Sequence, residues 1–211
     1  MRSIFELKCF SKKNRGRILN IVKISSCGFR YRLASIAQTS QQAIKDIITF
    51  EGKMELKAFE KEDYAQLIEW IDSNKLNYQW GGPKFDFPLD FTQISQHCSQ
   101  PEVFPFIFVV AGQNAGYVEL SKVTESHFRI CRVFVSNRFR GQGMSKIMLS
   151  QLIAMAKAKY DPSVLSLAVF EHNKVAKNCY ESLGFVVTAH EVGTRSFEGE
   201  VWGLLRMEKW L

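Results

Sequence analysis

The sequence has no apolar run approaching the ~18–20 residues that a membrane span needs. It has no internal repeat, no collagen-like period and no sustained heptad pattern, so solenoids, fibrous chains and coiled coils are excluded. No apolar stretch followed by a small-residue cleavage site opens the chain, so a secretory signal is not expected. Cysteine is sparse, with Cys9, Cys27, Cys98, Cys131 and Cys179 widely spaced, odd in number and without a CxxC pair. That usage fits free thiols in a reducing compartment, the cytoplasm, and not a disulfide framework. The four histidines stand at no metal-ligand spacing to one another or to a cysteine, so no metal is expected.

Acidic residues are missing from one long stretch, with none between Glu6 and Asp46. The net charge of +7 therefore has an address. Residues 1–53 hold 11 Lys/Arg against 3 Asp/Glu, a net +8, and residues 54–211 hold 17 against 18, a net −1. The basic balance thus says nothing about what the main domain binds, and nucleic acid is not expected as its partner. The first segment is compatible with a mitochondrial transit peptide, with a nucleic-acid-binding arm or with sequence lacking a function. Its one helical signal is a short face of Ala43, Ile44, Ile47 and Ile48 behind Thr39 or Ser40, marginal on its own.

What is present is ordinary globular composition: 211 residues, 46% hydrophobic and 23% charged. That is room for one sizeable domain with an appendage. The domain is expected over residues 54–211. Residues 54–59 alternate as a strand, and Tyr64, Leu67, Ile68 and Ile71 form a helical face. Trp80-Gly81-Gly82-Pro83 reads as punctuation, Phe85 to Leu89 as an apolar loop, and residues 90–98 as a short helix. Strands are expected over residues 106–111, 116–123 and 128–135, the first two joined by a Gly112-Gln113-Asn114 turn. A polar glycine-containing loop over 136–143 leads into a helix over 144–159 with Met148, Leu152, Met155 and Ala156 inward, and Asp161-Pro162 ends it. A buried strand over 164–169 precedes a helix capped by Asn173, with Ala176, Cys179, Tyr180 and Leu183 on one face and Gly184 as its stop. Two closing strands follow, over 185–190 and 201–209. This order implies a mixed α/β fold with helices on both faces of the sheet.

The most informative stretch runs from Val133 through Ser136, Arg138, Arg140, Gly141, Gln142 and Gly143 to Met144 and Ser145. A strand there passes through a tight loop into a helix N-terminus. Such a loop leaves backbone N–H groups pointing outward, and the helix dipole favours an anion by about 0.3–1 kcal/mol. Gly141 and Gly143 let the backbone approach a phosphate without a Cβ in the way. Taken alone the pattern is also that of a plain strand–helix connection.

The loop resembles the acetyl-CoA pyrophosphate motif of the GNAT superfamily of N-acetyltransferases, Q/R-x-x-G-x-G/A, filled here by Arg138, Gly141 and Gly143. Asn173-x-x-Ala176-x-x-x-Tyr180 followed by Leu183-Gly184-Phe185 looks like the family's second motif. The resemblance spans about residues 54–211 and implies a mostly antiparallel mixed sheet, splayed at the cofactor site. It further implies that Val133, Phe134 and Val135 pair their backbone with the pantetheine amides, and that the amides from Arg140 to Ser145 hold the pyrophosphate. By the same likeness Asn173 bonds the cofactor arm, and Tyr180 lies near the sulfur and protonates the departing thiolate. Read without the family, Asn173 is also a good N-cap and Tyr180 a core residue.

An amine must attack a thioester as the neutral base, so a proton acceptor is needed. Many protein N-terminal acetyltransferases carry a Glu five residues before the Asn, and this chain has Ala168 there. Glu119 is the first candidate to replace it, with Glu171 and His172 second. The acceptor-side loops of the family correspond to Tyr78 through Leu89, where Trp80, Phe85 and Phe87 suggest a modest amine with an apolar portion. The expected activity is transfer of an acetyl group from acetyl-CoA to a primary amine of a small molecule or peptide, with a homodimer left open. The competing readings are a non-catalytic acyl-CoA sensor and an acetyltransferase of aminoacyl-tRNA.

Residues 1–53 have no counterpart in the family core. Met54 is itself an initiator candidate, and codons for Glu51-Gly52-Lys53 can form a purine-rich stretch ahead of it in a bacterial source. The expectation is that residues 1–53 are largely translated upstream sequence of low order, with a targeting or nucleic-acid arm as the rival.

Overall fold

The computed structural model describes residues 9–14, 17–22 and 54–211, and the chain divides into two units, Met1–Gly52 and Lys53–Leu211. In the first unit Cys9–Asn14 (β1) and Arg17–Val22 (β2) pair antiparallel, Cys9 opposite Val22 and Asn14 opposite Arg17. The sequence reading expects no strand there, although Ile18, Ile21 and Val22 are the β-branched residues a ladder favours. The helix expected near residues 43–48 and the low order expected over the rest lie outside the described residues.

The second unit opens with Met54–Ala58 (β3), Tyr64–Trp70 (α1), Asn74–Gly81 (α2) and Phe91–Cys98 (α3). Val103–Val110 (β4), Gln113–Lys122 (β5) and His127–Val135 (β6) follow, then Met144–Tyr160 (α4), Val164–Phe170 (β7) and Lys174–Ser182 (α5). Val186–Glu191 (β8), the short Ser196–Phe197 (β9) and Glu200–Val201 (β10), and Leu204–Trp210 (β11) close the chain. Seven strands form one sheet in the order β3-β4-β5-β6-β7-β11-β8, antiparallel throughout except between β6 and β7. No described helix is long and apolar enough to cross a membrane.

Strand alternation divides the core into two layers. Val118 and Leu120 of β5 pack with Met144, Met148, Leu149 and Leu152 of α4 and Tyr180 of α5. Their neighbour Tyr117 points the other way, into a layer with Tyr64 and Leu67 of α1, Trp80 of α2 and Ile94 of α3. Asn173 caps α5, its Oδ1 accepting the Ala176 N–H at 3.2 Å. Gly184 at φ 87° stops that helix and Phe185 is buried behind it, as the sequence pattern implies.

Two local readings are corrected. Trp80-Gly81-Gly82-Pro83 does not simply punctuate: Trp80 and Gly81 complete helix α2, which is capped by Ser73, whose side chain accepts the Leu76 N–H at 3.4 Å. The apolar residues of α2, Leu76, Tyr78 and Trp80, make no helical stripe, so only their tertiary contacts reveal it. The second closing strand also starts later, at Leu204. Glu200 and Val201 instead pair with Ser196 and Phe197 in a hairpin turned by Glu198 and Gly199, both left-handed at φ 48° and 84°.

Candidate active site

The ladder between β6 and β7 covers three pairs, His127–Arg129 with Val164–Ser166, and ends there. β6 nevertheless continues to Val135 and β7 to Phe170, so their facing edges part and leave a slot. The divergence starts one residue before a bulge in β6, where the register against β5 shifts and Arg132 takes a left-handed φ of 51°. Ala168 is exposed in β7 between the buried Leu167 and Val169.

At the far end of β6 the glycine loop meets α4. Gly143 is the helix N-cap at φ 77°, and Gly141 lies at φ 73°. A Cβ added at either would meet nothing within 4 Å, so the space above the loop is open. The first amides of α4, those of Met144 and Ser145, have no partner within the helix, the ordinary condition of a helix start. Gln142 braces the loop, its Nε2 donating to the Arg138 carbonyl at 2.9 Å. The two arginines differ in what they do. Arg140 Nε donates to the Val135 carbonyl at 2.8 Å and its guanidinium lies 5.2 Å from the Phe134 ring, while Arg138 lies against Phe139. The side chains of Phe134 and Val135 are buried, Phe134 stacked on Trp70 at 5.4 Å, so only their backbone is available to a ligand.

Tyr180 is buried on α5 with its ring 6.4 Å from Phe185. Burial first, and then the nearby Cys179 and Cys131 thiols, push its phenol well above the usual value. It therefore stays a proton donor at neutral pH. Burial likewise pushes the Cys131 thiol up to about 11, which keeps it protonated and unreactive. Asn173 spends its side-chain oxygen on the α5 cap.

Glu119 is fully buried and not a solvent-facing strand residue. Its Oε1 accepts from the Tyr117 hydroxyl at 2.5 Å, and its Oε2 takes His97 Nε2 at 3.0 Å together with Arg132 Nη1. Desolvation raises its pKa, but the hydrogen bond from His97 and the Arg132 charge outweigh that, and the net direction is down. This ion-pair cluster holds the guanidinium of the bulged Arg132.

Helix α2 bridges the slot. Trp80 Nε1 donates to the Arg132 carbonyl at 2.8 Å, which ties the helix to β6. On the β7 side Tyr78 packs on Phe170, Phe197 and Trp202 at 5.3–5.8 Å. Gln79 Oε1 lies 3.5 Å from His172 Nε2. Trp80 and Phe85 are buried and stacked on one another at 5.4 Å, so of the three expected acceptor-side aromatics only Phe87 is exposed. The aromatics Phe170, Phe197 and Trp202 are not apparent from the sequence because they converge from β7, β9 and the segment after β10. His172 stacks on Phe170 and stands edge-on to Trp202 at 4.5 Å. Burial, then Lys75 and Lys174, lower its pKa, so its ring is neutral at pH 7. Glu171 pairs instead with His190 at 3.2 Å. No group of three or more His, Cys, Asp or Glu able to hold a metal occurs among the described residues.

Residues 64–185 match the model of the acetyltransferase (GNAT) family. An uncharacterized N-acetyltransferase of Lactobacillus delbrueckii subsp. lactis is 29% identical over 164 residues, which cover 71% of this chain and 82% of that protein. The crystal structure of spermidine N-acetyltransferase from Vibrio cholerae in complex with CoA and spermine superposes with a TM-score of 0.66 at 19% identity, covering 74% of this chain and 95% of that one. The yncA protein of Salmonella typhimurium, solved with its cofactor acetyl-CoA, gives 0.62 at 19%, covering 76% and 95%. At those identities the two structures speak for the fold, and the sequence match speaks for descent. With more than half of its length matched, this chain belongs to the GNAT family of acetyltransferases.

Proposed function

We propose that this N-acetyltransferase moves the acetyl group of acetyl-CoA to the primary amine of a small molecule or peptide, by direct attack of the neutral amine on the thioester. The observation that carries this reading is the parting of β6 from β7 beside an open, amide-lined glycine loop, with the protonated Tyr180 on the adjacent helix. The residues fit the cofactor: Gly141 and Gly143 leave room for a pyrophosphate, and the separated strand edges suit an extended arm that carries amides. When bound, acetyl-CoA supplies an activated acyl group whose carbonyl carbon bonds to the amine nitrogen as the carbon–sulfur bond breaks. His172, neutral and exposed beside the slot, takes the proton that the nitrogen sheds, and Tyr180 gives one to the departing sulfur. Glu119 is ill suited to that first task, because its carboxylate is already shared among three donors. The fold relative that acetylates spermidine supports a small amine as acceptor. A reducing compartment is the proposed location, in keeping with the free thiols of Cys98, Cys131 and Cys179.

Acetyl-CoA at 100 times its Kd should stabilise the fold by about 2.7 kcal/mol through mass action. Gly143→Val is strained at its positive φ even without ligand, so the readout is the ligand-induced rise in Tm for each protein. That rise should be present in the wild type and absent in the variant. A wild type with no shift at millimolar acetyl-CoA sinks the reading.

We also propose that residues 54–211 are sufficient for activity. The hydrophobic clusters of the second unit are assembled from that stretch. A 54–211 protein should fold and retain full turnover, and loss of either on truncation would show that the first 53 residues belong to the enzyme.

A further inference from the structure

A groove of about 340 Å³ lies between α2, the loop after it and the β9–β10 hairpin. Its walls are aromatic, from Tyr78, Phe85, Phe87 and Phe197, and its charged groups, Asp86 and Glu198, are both acidic. Asn77, 2% exposed, donates its Nδ2 to the Phe85 carbonyl at 2.9 Å, and its Oδ1 is buried without a partner. Buried oxygens are ordinarily hydrogen-bonded, so this one has room for an N–H or O–H donor. Asp86 and Glu198 add two exposed carboxylates at the rim, and among the described residues neither is in an ion pair. Carbonyl oxygen, carboxylates and aromatic faces together select an organic ammonium. The neighbouring aromatics already hold one, since Lys75 Nζ stands 6.0 Å from the Trp202 ring.

The nitrogen that attacks a thioester must be neutral, so an ammonium seated in this groove is not the reacting one. The groove shares Tyr78 and Phe197 with the aromatic cluster beside His172, which places the two next to one another. We infer that the acceptor is a diamine-type molecule whose second, protonated amine sits between Asn77 Oδ1, Asp86 and Glu198 while an apolar spacer runs along Tyr78 and Phe197. This deepens the proposed function and rests on it.

The test compares 1,5-diaminopentane with pentylamine in the wild type and in the Asp86→Asn/Glu198→Gln double variant, whose changes are at exposed positions. Wild-type kcat/KM should favour the diamine by about tenfold or more, the low end for a hydrogen bond to a charged group. In the double variant that ratio should fall towards one. A wild-type ratio near one, or a ratio unchanged in the variant, overturns the inference. Calorimetric titration of both amines into the CoA-loaded protein separates the two readings. Turnover without diamine selectivity removes the groove and keeps the transfer. Selective diamine binding without any turnover removes the transfer and keeps the groove.

Discussion

Tyr180→Phe is expected to lower turnover by about 10²-fold or more while acetyl-CoA affinity stays unchanged. The substitution keeps the ring and its contact with Phe185 and removes the hydroxyl alone. A thiolate leaves far more readily when it is protonated as the bond breaks, and a phenol held protonated by burial is a ready donor there. The amine side of the reaction has its own signature. A His172 whose pKa lies below 6.5 stays neutral at pH 7, so wild-type kcat/KM, expressed per neutral amine, should decline on acidification through that lowered value. His172→Gln should reduce the rate and flatten that limb. Unchanged turnover in Tyr180→Phe would return Tyr180 to the hydrophobic core, and an acid limb that survives His172→Gln would assign the base elsewhere.

Glu119→Gln should cost about 3–5 kcal/mol of stability, the usual price of breaking a buried ion pair from one side. On a domain of this size that lowers Tm by on the order of 10 °C. The amide retains the shape of the carboxylate, but it turns an N–H towards donors and leaves the half-buried Arg132 guanidinium without a counter-charge. The pH dependence follows from the direction of the shift. A carboxylate with a folded-state pKa below its ordinary value of 4.5 contributes stability that is fully present above pH 4.5. That contribution is lost as pH falls through the depressed value. The wild type should therefore destabilise more steeply on acidification than the variant, which has no carboxylate to titrate. Urea denaturation at neutral and acidic pH measures both. Should Glu119 serve as the base instead, the variant would lose kcat with little loss of stability, and the pair-breaking account would be wrong.

Much of the architecture was legible because the signals were local. Helix α4 announced itself by its apolar spacing and its Asp161-Pro162 stop, and α5 by Asn173 at one end and Gly184 at the other. Helix α2 did not, since Leu76, Tyr78 and Trp80 make no stripe and their partners lie on β6, β7 and the β9–β10 hairpin. Pro105 likewise hid the first residues of β4, whose pairing with β3 ends one residue after it, at Phe106. In the candidate site, the glycine loop and Tyr180 are proposals that the chain alone already suggests, while Trp80 and Phe85 proved to be packed against each other.

By itself the sequence determined where the chain turns, caps and buries. A left-handed glycine, an Asn ahead of a helix and an apolar residue every third or fourth place act through their own backbone and nearest turns. Only the tertiary structure decided what Glu119 is, because its character comes from His97, Tyr117 and Arg132, which two other elements and its own strand deliver to one buried point. The same holds for the groove at Asn77. An unpaired oxygen, two carboxylates and four aromatic walls become a site only when a helix, a loop and a distant hairpin meet. Charge and desolvation act through space, and spacing along the chain does not encode which groups will be neighbours there.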